Sequence, residues 1–371
     1  MSVLLKKSNF EGVSPKELAE QIEAKKKCAD KLPSWFNTPK IYYPNKLNIA
    51  QTSSEITAKH KATLIHGKAL LDLTGGMGVD SYFFSTKMTS VVHCEIDQNL
   101  SEIATHNFTI LGVQNVETKN GDGLHILKNT NDKFDWIYVD PSRRNEDKGK
   151  VFTLTDSLPN VPENLELLFS KASNILIKTA PLLDISVGLK QLKFVKEIHV
   201  VAVKNEVKEL LWVLQKGFKG TLAIKTINIT KDSSETFNFL DGQEKSALTD
   251  YGFPMAYLYE PNSAILKSGA FKIVGQQFKL AKLHQHTHLF TSDRLIGFPG
   301  RRFFVQRVLP YNKKTVLGLG LKKANIATRN FPETVATLRK KFKITDGGEV
   351  YLFFVTAHQG KLLVLYCAKA L

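Results

Sequence analysis

Cysteine is scarce in this chain. Three cysteines in 371 residues, Cys28, Cys94 and Cys367, stand far apart and form no CxxC pair. That usage argues against a disulfide framework and for a reduced, cytoplasmic protein. Long hydrophobic runs are missing too: no stretch approaches the roughly 20 apolar residues that span a bilayer. The opening MSVLLKKSNFEGV lacks the apolar region of a signal peptide. No membrane association is expected. The sequence also has no low-complexity tract and no short repeat.

Acid is in deficit, but only at the two ends. The net charge is +16, from 51 Lys/Arg against 35 Asp/Glu. Residues 1–66 hold 11 bases and 6 acids, residues 67–225 hold 19 of each, and residues 226–371 hold 21 and 10. Basic flanks around a neutral centre point to modules that grip a polyanion. A lysine-rich solvated surface explains the charge equally well by itself.

The periodicity divides the chain. Ser14, Pro15 and Glu17 predict a capped helix over 14–29, and Thr52 with Glu55 has the spacing of a second cap. Strand-length apolar runs then recur at 69–74, 90–96, 134–139, 173–179 and 198–203, with a weaker one at 115–120 and a last at 221–229. Helical segments at 98–112, 163–172 and 206–218 fall between them. This alternation predicts an α/β fold, a doubly wound and mostly parallel sheet of seven strands. Beyond residue 230 the units are shorter and richer in β-structure. A hairpin should turn near His358-Gln359-Gly360, and a helix should start at Asn330 with Glu333 completing its cap.

Three acids follow three successive predicted strands. In LLDLTGGMGVD, residues 70–80, Asp72 precedes a turn built from Gly75, Gly76 and Gly78. Such a turn brings backbone close to a ligand and opens a helix N-terminus onto it. A dinucleotide site would want a third glycine where Ser81 stands, and an anion at Asp72 would repel a pyrophosphate. Asp72 suits a cofactor with a positively charged amino-acid end. Glu95, closing the second strand, is placed to take both ribose hydroxyls, while Asp97 caps the next helix. Asp122, after the third strand, is placed to accept from an adenine amino group.

Residues 67–229 resemble a class I S-adenosylmethionine-dependent methyltransferase, with Asp72, Gly75, Gly76 and Gly78 as its first motif, Glu95 and Asp122 as its cofactor acids, and DPSRR (140–144) as its fourth. More narrowly, QTSSEITAKHKA, DPSRR, KTAPLLD, YEPNSAILKSGAF and ANIATRNFP are similar to bacterial methyltransferases with a C-terminal THUMP-like domain. The resemblance covers nearly the whole chain. It implies a helical region at 1–66, a Rossmann-like methyltransferase domain at 67–229, a linker with a small ferredoxin-like element at 230–296 and a THUMP-like domain at 297–371. It also implies S-adenosyl-L-methionine held by Asp72, Thr74, Gly75, Gly76, Gly78, Glu95 and Asp122. Because THUMP domains bind RNA, the implied partner is RNA.

In an open parallel sheet, ligands sit beyond the carboxyl ends of the strands, where the strand order reverses. Asp140 ends the fourth strand and is the candidate catalytic group beside the transferable methyl. Pro141, Ser142, Arg143, Arg144 and Pro181 are the candidate substrate contacts, the arginines for phosphate or base. Amine methylases of the superfamily often read Asp/Asn-Pro-Pro-aromatic here; Ser142 and Arg143 depart from that and argue against adenine N6 as target. No cysteine lies where a covalent pyrimidine mechanism needs one. His284, His286 and His288 share a strand face without a nearby acid or cysteine, so no metal is expected. The expected activity is methylation of a nitrogen or oxygen of RNA. A protein or small-molecule target, or a cofactor-binding RNA adaptor without turnover, are the alternatives.

Overall fold

In the computed structural model, which describes residues 14–143 and 153–370, helix α1 (Pro15–Lys31) begins at its sequence signal. The Ser14 hydroxyl accepts from the Glu17 amide at 3.1 Å, and Pro15 occupies the first turn. Short helices α2 (Pro33–Asn37) and α3 (Lys46–Gln51) follow. The Lys31 ammonium donates to the Ile49 and Ala50 carbonyls, at 2.7 and 2.9 Å, and so closes the end of α3. Helix α4 (Glu55–Ala62) is capped by Ser54, which accepts from the Thr57 amide, not by the expected Thr52; the buried Glu55 carboxylate accepts from the Ser34 amide and hydroxyl instead of completing a capping box.

The chain divides into two units. One comprises the residues up to His199 together with Lys208–Leu222; the other comprises Val200–Val207 and the chain from Ala223 onward. The larger sheet runs through β1 (Ala69–Asp72), β2 (Ser90–Glu95), β3 (Val116–Asn120), β4 (Phe134–Val139), β5 (Ala172–Thr179), β6 (Val195–Val203) and β7 (Glu206–Gln215). Their spatial order is β6-β7-β5-β4-β1-β2-β3. Strands β1 to β5 pair in parallel, and β7 runs antiparallel against β5. Helices α5 (Val79–Ser85), α6 (Gln98–Ile110), α7 (Gly123–Asn129), α8 (Val161–Lys171) and α9 (Ile185–Gln191) connect them. Asp97 caps α6 as expected, accepting from the Leu100 amide at 2.8 Å.

One predicted element changes type. Residues 206–218 read as a helix, but Glu206–Gln215 is the strand β7, wedged between β5 and β6. Leu210 to Leu214 are all buried. A run that is apolar on both faces carries no period to separate helix from strand. The predicted last strand, 221–229, is β8 (Ala223–Ile229). It pairs antiparallel with β9 (Ser234–Leu240) and is a separate strand from the inserted one.

The second unit is built around an antiparallel-rich sheet. Its strands are β10 (Tyr257–Pro261), β11 (Ala281–His284), β12 (Thr287–Ser292), β13 (Gly300–Pro310), β14 (Asn325–Arg329), β15 (Val350–Thr356) and β16 (Leu362–Lys369). The order is β11-β12-β10-β13-β16-β15-β14. The expected hairpin is β15–β16, with Val350 facing Ala368 and Thr356 facing Leu362. Strand β15 is buried on both faces: Phe353 and Val355 enter one apolar cluster, Leu352 and Phe354 the other. The helix expected from Asn330 is Val335–Phe342, capped by Thr334 instead; Asn330 takes a left-handed φ of 50° at the end of β14.

Candidate active site

Strand β1 lies between β4 and β2, so the sheet's winding reverses at its carboxyl end. A cavity of about 1310 Å³ opens there, walled by Thr74, Gly75, Gly76, Glu95, Asp122 and Asp140. Pro141, Ser142 and Pro181 stand on the same wall. Residues from five separate β–α connections thus meet in one place. Pockets for drug-sized ligands span roughly 300–1,000 Å³, so this space admits a cofactor with an acceptor group beside it.

The glycine turn is shaped by what lies behind it. A side chain at Gly75 would overlap the His93 ring, with its Cβ only 2.1 Å from Cε1. Gly76 has a φ of +57° and open space where a Cβ would stand. The turn therefore presents bare backbone to the cavity. Its Gly76 amide donates to Glu95 Oε2 at 2.7 Å, while Glu95 Oε1 accepts from the Asp97 amide at 2.9 Å. Each carboxylate oxygen has a second acceptor site, so Glu95 keeps two sites for a bidentate donor. Asp122 caps α7, its Oδ1 accepting from the Leu124 amide at 2.8 Å.

Asp72 and Gly78 are not on the wall. Asp72 is fully buried beneath the turn, accepting from the Thr74 amide (3.0 Å) and the Ser81 hydroxyl (2.6 Å). Burial pushes its carboxyl up to about 7. The Ser81 hydroxyl also lies 3.0 Å from His93 Nδ1, so Asp72, Ser81 and His93 form one buried hydrogen-bonded chain. Burial holds His93 neutral, with its pKa lowered to about 4. Thr74 acts in a second way, its hydroxyl accepting the Asp140 amide at 2.7 Å and so tying the first loop to the fourth.

Past Pro141 the chain forms a two-residue antiparallel ladder, Ser142–Arg143 against Ser157–Leu158. Of Arg143 only the backbone is described, and Arg144 lies outside the described residues. Cys94 reaches the wall, but burial pushes its thiol up to about 12, leaving almost no thiolate at neutral pH. Among the described residues no group of three or more His, Cys, Asp or Glu is arranged to hold a metal ion. His284 instead meets Asn330, at 3.1 Å from Nδ1. No described helix is long and apolar enough to cross a membrane.

Several wall and floor residues were not foreseen from sequence. Asn48, Gln51, Thr52 and Ser53 bring the α3–α4 segment into the cavity, and Lys208 enters from β7. Lys178 on β5 is ion-paired to Asp140. Beneath them Lys61 is wholly buried, 2.9 Å from Glu209, 3.2 Å from Asp80 and 3.0 Å from the Ser53 hydroxyl. Asp80 also accepts from Tyr138 at 2.8 Å and from Ser53 at 2.7 Å. A lysine inside a strand reads as a surface residue, and Lys61 and Glu209 are 148 positions apart; the only hint was an ionisable residue within an apolar run.

This strand order, with its inserted antiparallel strand, glycine turn and acids after successive strands, is that of a class I S-adenosylmethionine-dependent methyltransferase. A family model described as a ferredoxin-like domain matches residues 257–299, and one described as THUMP domain-like matches 300–369. A crystal structure of a putative methyltransferase from Porphyromonas gingivalis W83 is 32% identical, superposes with a TM-score of 0.91, and covers 100% of this chain and 94% of that one. The chain belongs to that family, the bacterial class I methyltransferases that carry a C-terminal THUMP-like domain. It is also 25% identical, over 248 residues and 67% of its length, to an uncharacterised S-adenosylmethionine-dependent methyltransferase of Mycobacterium tuberculosis, found in strains CDC 1551 and H37Rv. The match spans 65% of the length of these mycobacterial relatives.

Proposed function

We propose that this protein transfers the methyl group of S-adenosyl-L-methionine to a nitrogen or oxygen of RNA, with no covalent cysteine intermediate. The observation that carries the reading is the convergence of Gly75, Gly76, Glu95, Asp122 and Asp140 on one cavity at the switch point of the sheet. When bound, the cofactor supplies an electrophilic methyl on a sulfonium. In this reading Glu95 takes the ribose hydroxyls on its two remaining acceptor sites, and Asp122 accepts from the adenine amino group. Asp72 acts from beneath, its carboxyl holding the turn through Thr74 and Ser81. Asp140 faces the acceptor, with Pro141, Ser142, Arg143, Arg144 and Pro181 as substrate contacts.

RNA as the substrate is supported by the THUMP-like match and by the surplus of 21 bases over 10 acids in residues 226–371. The buried, unpaired state of all three cysteines supports a reducing, cytoplasmic setting. Calorimetry should detect S-adenosyl-L-methionine binding, and transfer of a labelled methyl from it into total bacterial RNA should follow. RNA affinity should fall steeply with salt, with a slope of about −0.7 per neutralised phosphate on single strands. Tighter binding of NAD than of S-adenosyl-L-methionine would overturn the cofactor, and transfer only to protein would overturn the substrate.

A further inference from the structure

The cofactor residues leave open which kind of atom receives the methyl group. The surroundings of Asp140 address that question. Asp140 does not stand alone: the Lys178 ammonium is paired with its carboxylate, and both line the cavity. Burial alone would pull Lys178 down, but the carboxylates of Asp140, Glu209 and Asp80 together raise its pKa above the ordinary lysine value. Lys178 is therefore a fixed cation at neutral pH and not a base. Behind the pair, Lys61 takes both Glu209 oxygens, at 3.0 and 2.9 Å, and is itself fully buried. Two lysine–carboxylate pairs, one buried and one facing the cavity, thus stand together under the acceptor side. Lys208 adds another cationic side chain to the wall.

We propose that the methyl acceptor is a hydroxyl oxygen, in RNA the ribose 2′-hydroxyl, received between the Asp140 carboxylate and the Lys178 ammonium. The proposal rests on the RNA methyltransferase reading and narrows it. The charge that develops on each kind of acceptor decides between them. A neutral nitrogen becomes positive as its bond to the methyl carbon forms, and a fixed ammonium at contact opposes that change. A hydroxyl is a poor nucleophile until it yields its proton. A carboxylate that takes the proton and an ammonium that stabilises the oxygen are what this reaction needs. The oxygen forms its bond to the methyl carbon as the carbon–sulfur bond breaks, and that electron pair stays on sulfur. The hydroxyl proton passes to Asp140 and then to solvent. Lys61 is a positioning residue in this scheme: it neutralises Glu209, so that Lys178 stays with Asp140.

The full-length protein should be incubated with S-adenosyl-L-methionine and total RNA from a strain lacking its gene, and the RNA digested to nucleosides for mass spectrometry. The expected product carries its methyl on ribose, with the base unmodified. A second measurement does not depend on turnover: anisotropy of a labelled RNA 15-mer and its DNA counterpart, both with S-adenosylhomocysteine present. The wild type should prefer RNA about tenfold or more, since a site built around a hydroxyl rejects the analogue lacking it. Lys178→Met should largely lose that preference while S-adenosylhomocysteine affinity stays unchanged, and Lys178→Arg should retain it; thermal melts establish that both variants fold. A methyl on a base nitrogen, or equal affinity for RNA and DNA, overturns the hydroxyl acceptor and leaves the RNA methyltransferase reading standing. Absence of both methyl transfer into RNA and RNA binding overturns that reading, and this proposal with it.

Discussion

The two units place their charged groups differently. In the first, Lys61, Glu209 and Asp80 are buried together directly beneath the cavity. In the second, the sheet faces are apolar, filled by Phe303, Phe353 and Leu365 on one side and Phe342, Leu352 and Phe354 on the other. Its ion pairs stand at the edges, as Arg339 does with the largely exposed Asp346. Two buried charges depart from this: Glu260, a carboxylate held by Arg301 and Arg329, and Lys282, whose ammonium donates to the Gln285 carbonyl at 2.8 Å. Burying a charge costs desolvation that pairing only partly offsets. Such groups earn a place where they orient other groups, and here that place is the site. The second unit gains its stability chiefly from apolar area.

The sharpest test of this contrast is Asp140→Ala, which should lower turnover by roughly 100- to 10,000-fold while leaving cofactor affinity nearly intact, as single-turnover kinetics and calorimetry would show. Next comes Lys61→Met. It strands Glu209 and Asp80 without their cation and should cost about 3–5 kcal/mol of stability by denaturant unfolding. A loss under about 1 kcal/mol would mean that the buried network is not structural.

Asp72 gives a pH test of the same burial. Its folded pKa of about 7 lies above the ordinary 3.8. Between those values the native carboxyl keeps a proton that the unfolded chain has lost, so this group's contribution falls as pH rises. Asp72→Asn removes the effect, and the variant should gain on wild type by roughly 2–4 kcal/mol between pH 4 and 8. Glu95→Ala should weaken S-adenosyl-L-methionine binding by about 1.5–3 kcal/mol, or some ten- to a hundredfold. At the small end, a double-mutant cycle on Arg339 and Asp346 should return less than about 1 kcal/mol. A value as large as that for Lys61 would erase the difference between the units.

Much of the site was legible because its signals are local. The glycine turn, Glu95 and Asp97 each sit at the end of a strand whose apolar run is visible by itself, and Asp122 follows the weaker strand at 115–120. The cavity's floor was hidden by one misread element. Taken as a helix, 206–218 puts Glu209 on an exposed face; as the strand β7 it buries Glu209 against Lys61. Capping assignments slipped for a similar reason. Thr52 and Asn330 have the right spacing, but Ser54 and Thr334 were as well placed, and tertiary contacts chose between them.

By itself the sequence determined the alternation of strands and helices, the turn that needs glycine, and which strands end in acids. These follow from steric rules and periodicities acting within about ten residues. Only the tertiary structure decided that β7 inserts antiparallel between β5 and β6, that the α3–α4 segment lines the cavity, and that Lys178 pairs with Asp140. Those outcomes depend on where a buried charge finds its partner. Desolvation sets that choice over the whole fold, and no window of sequence contains both members of the pair.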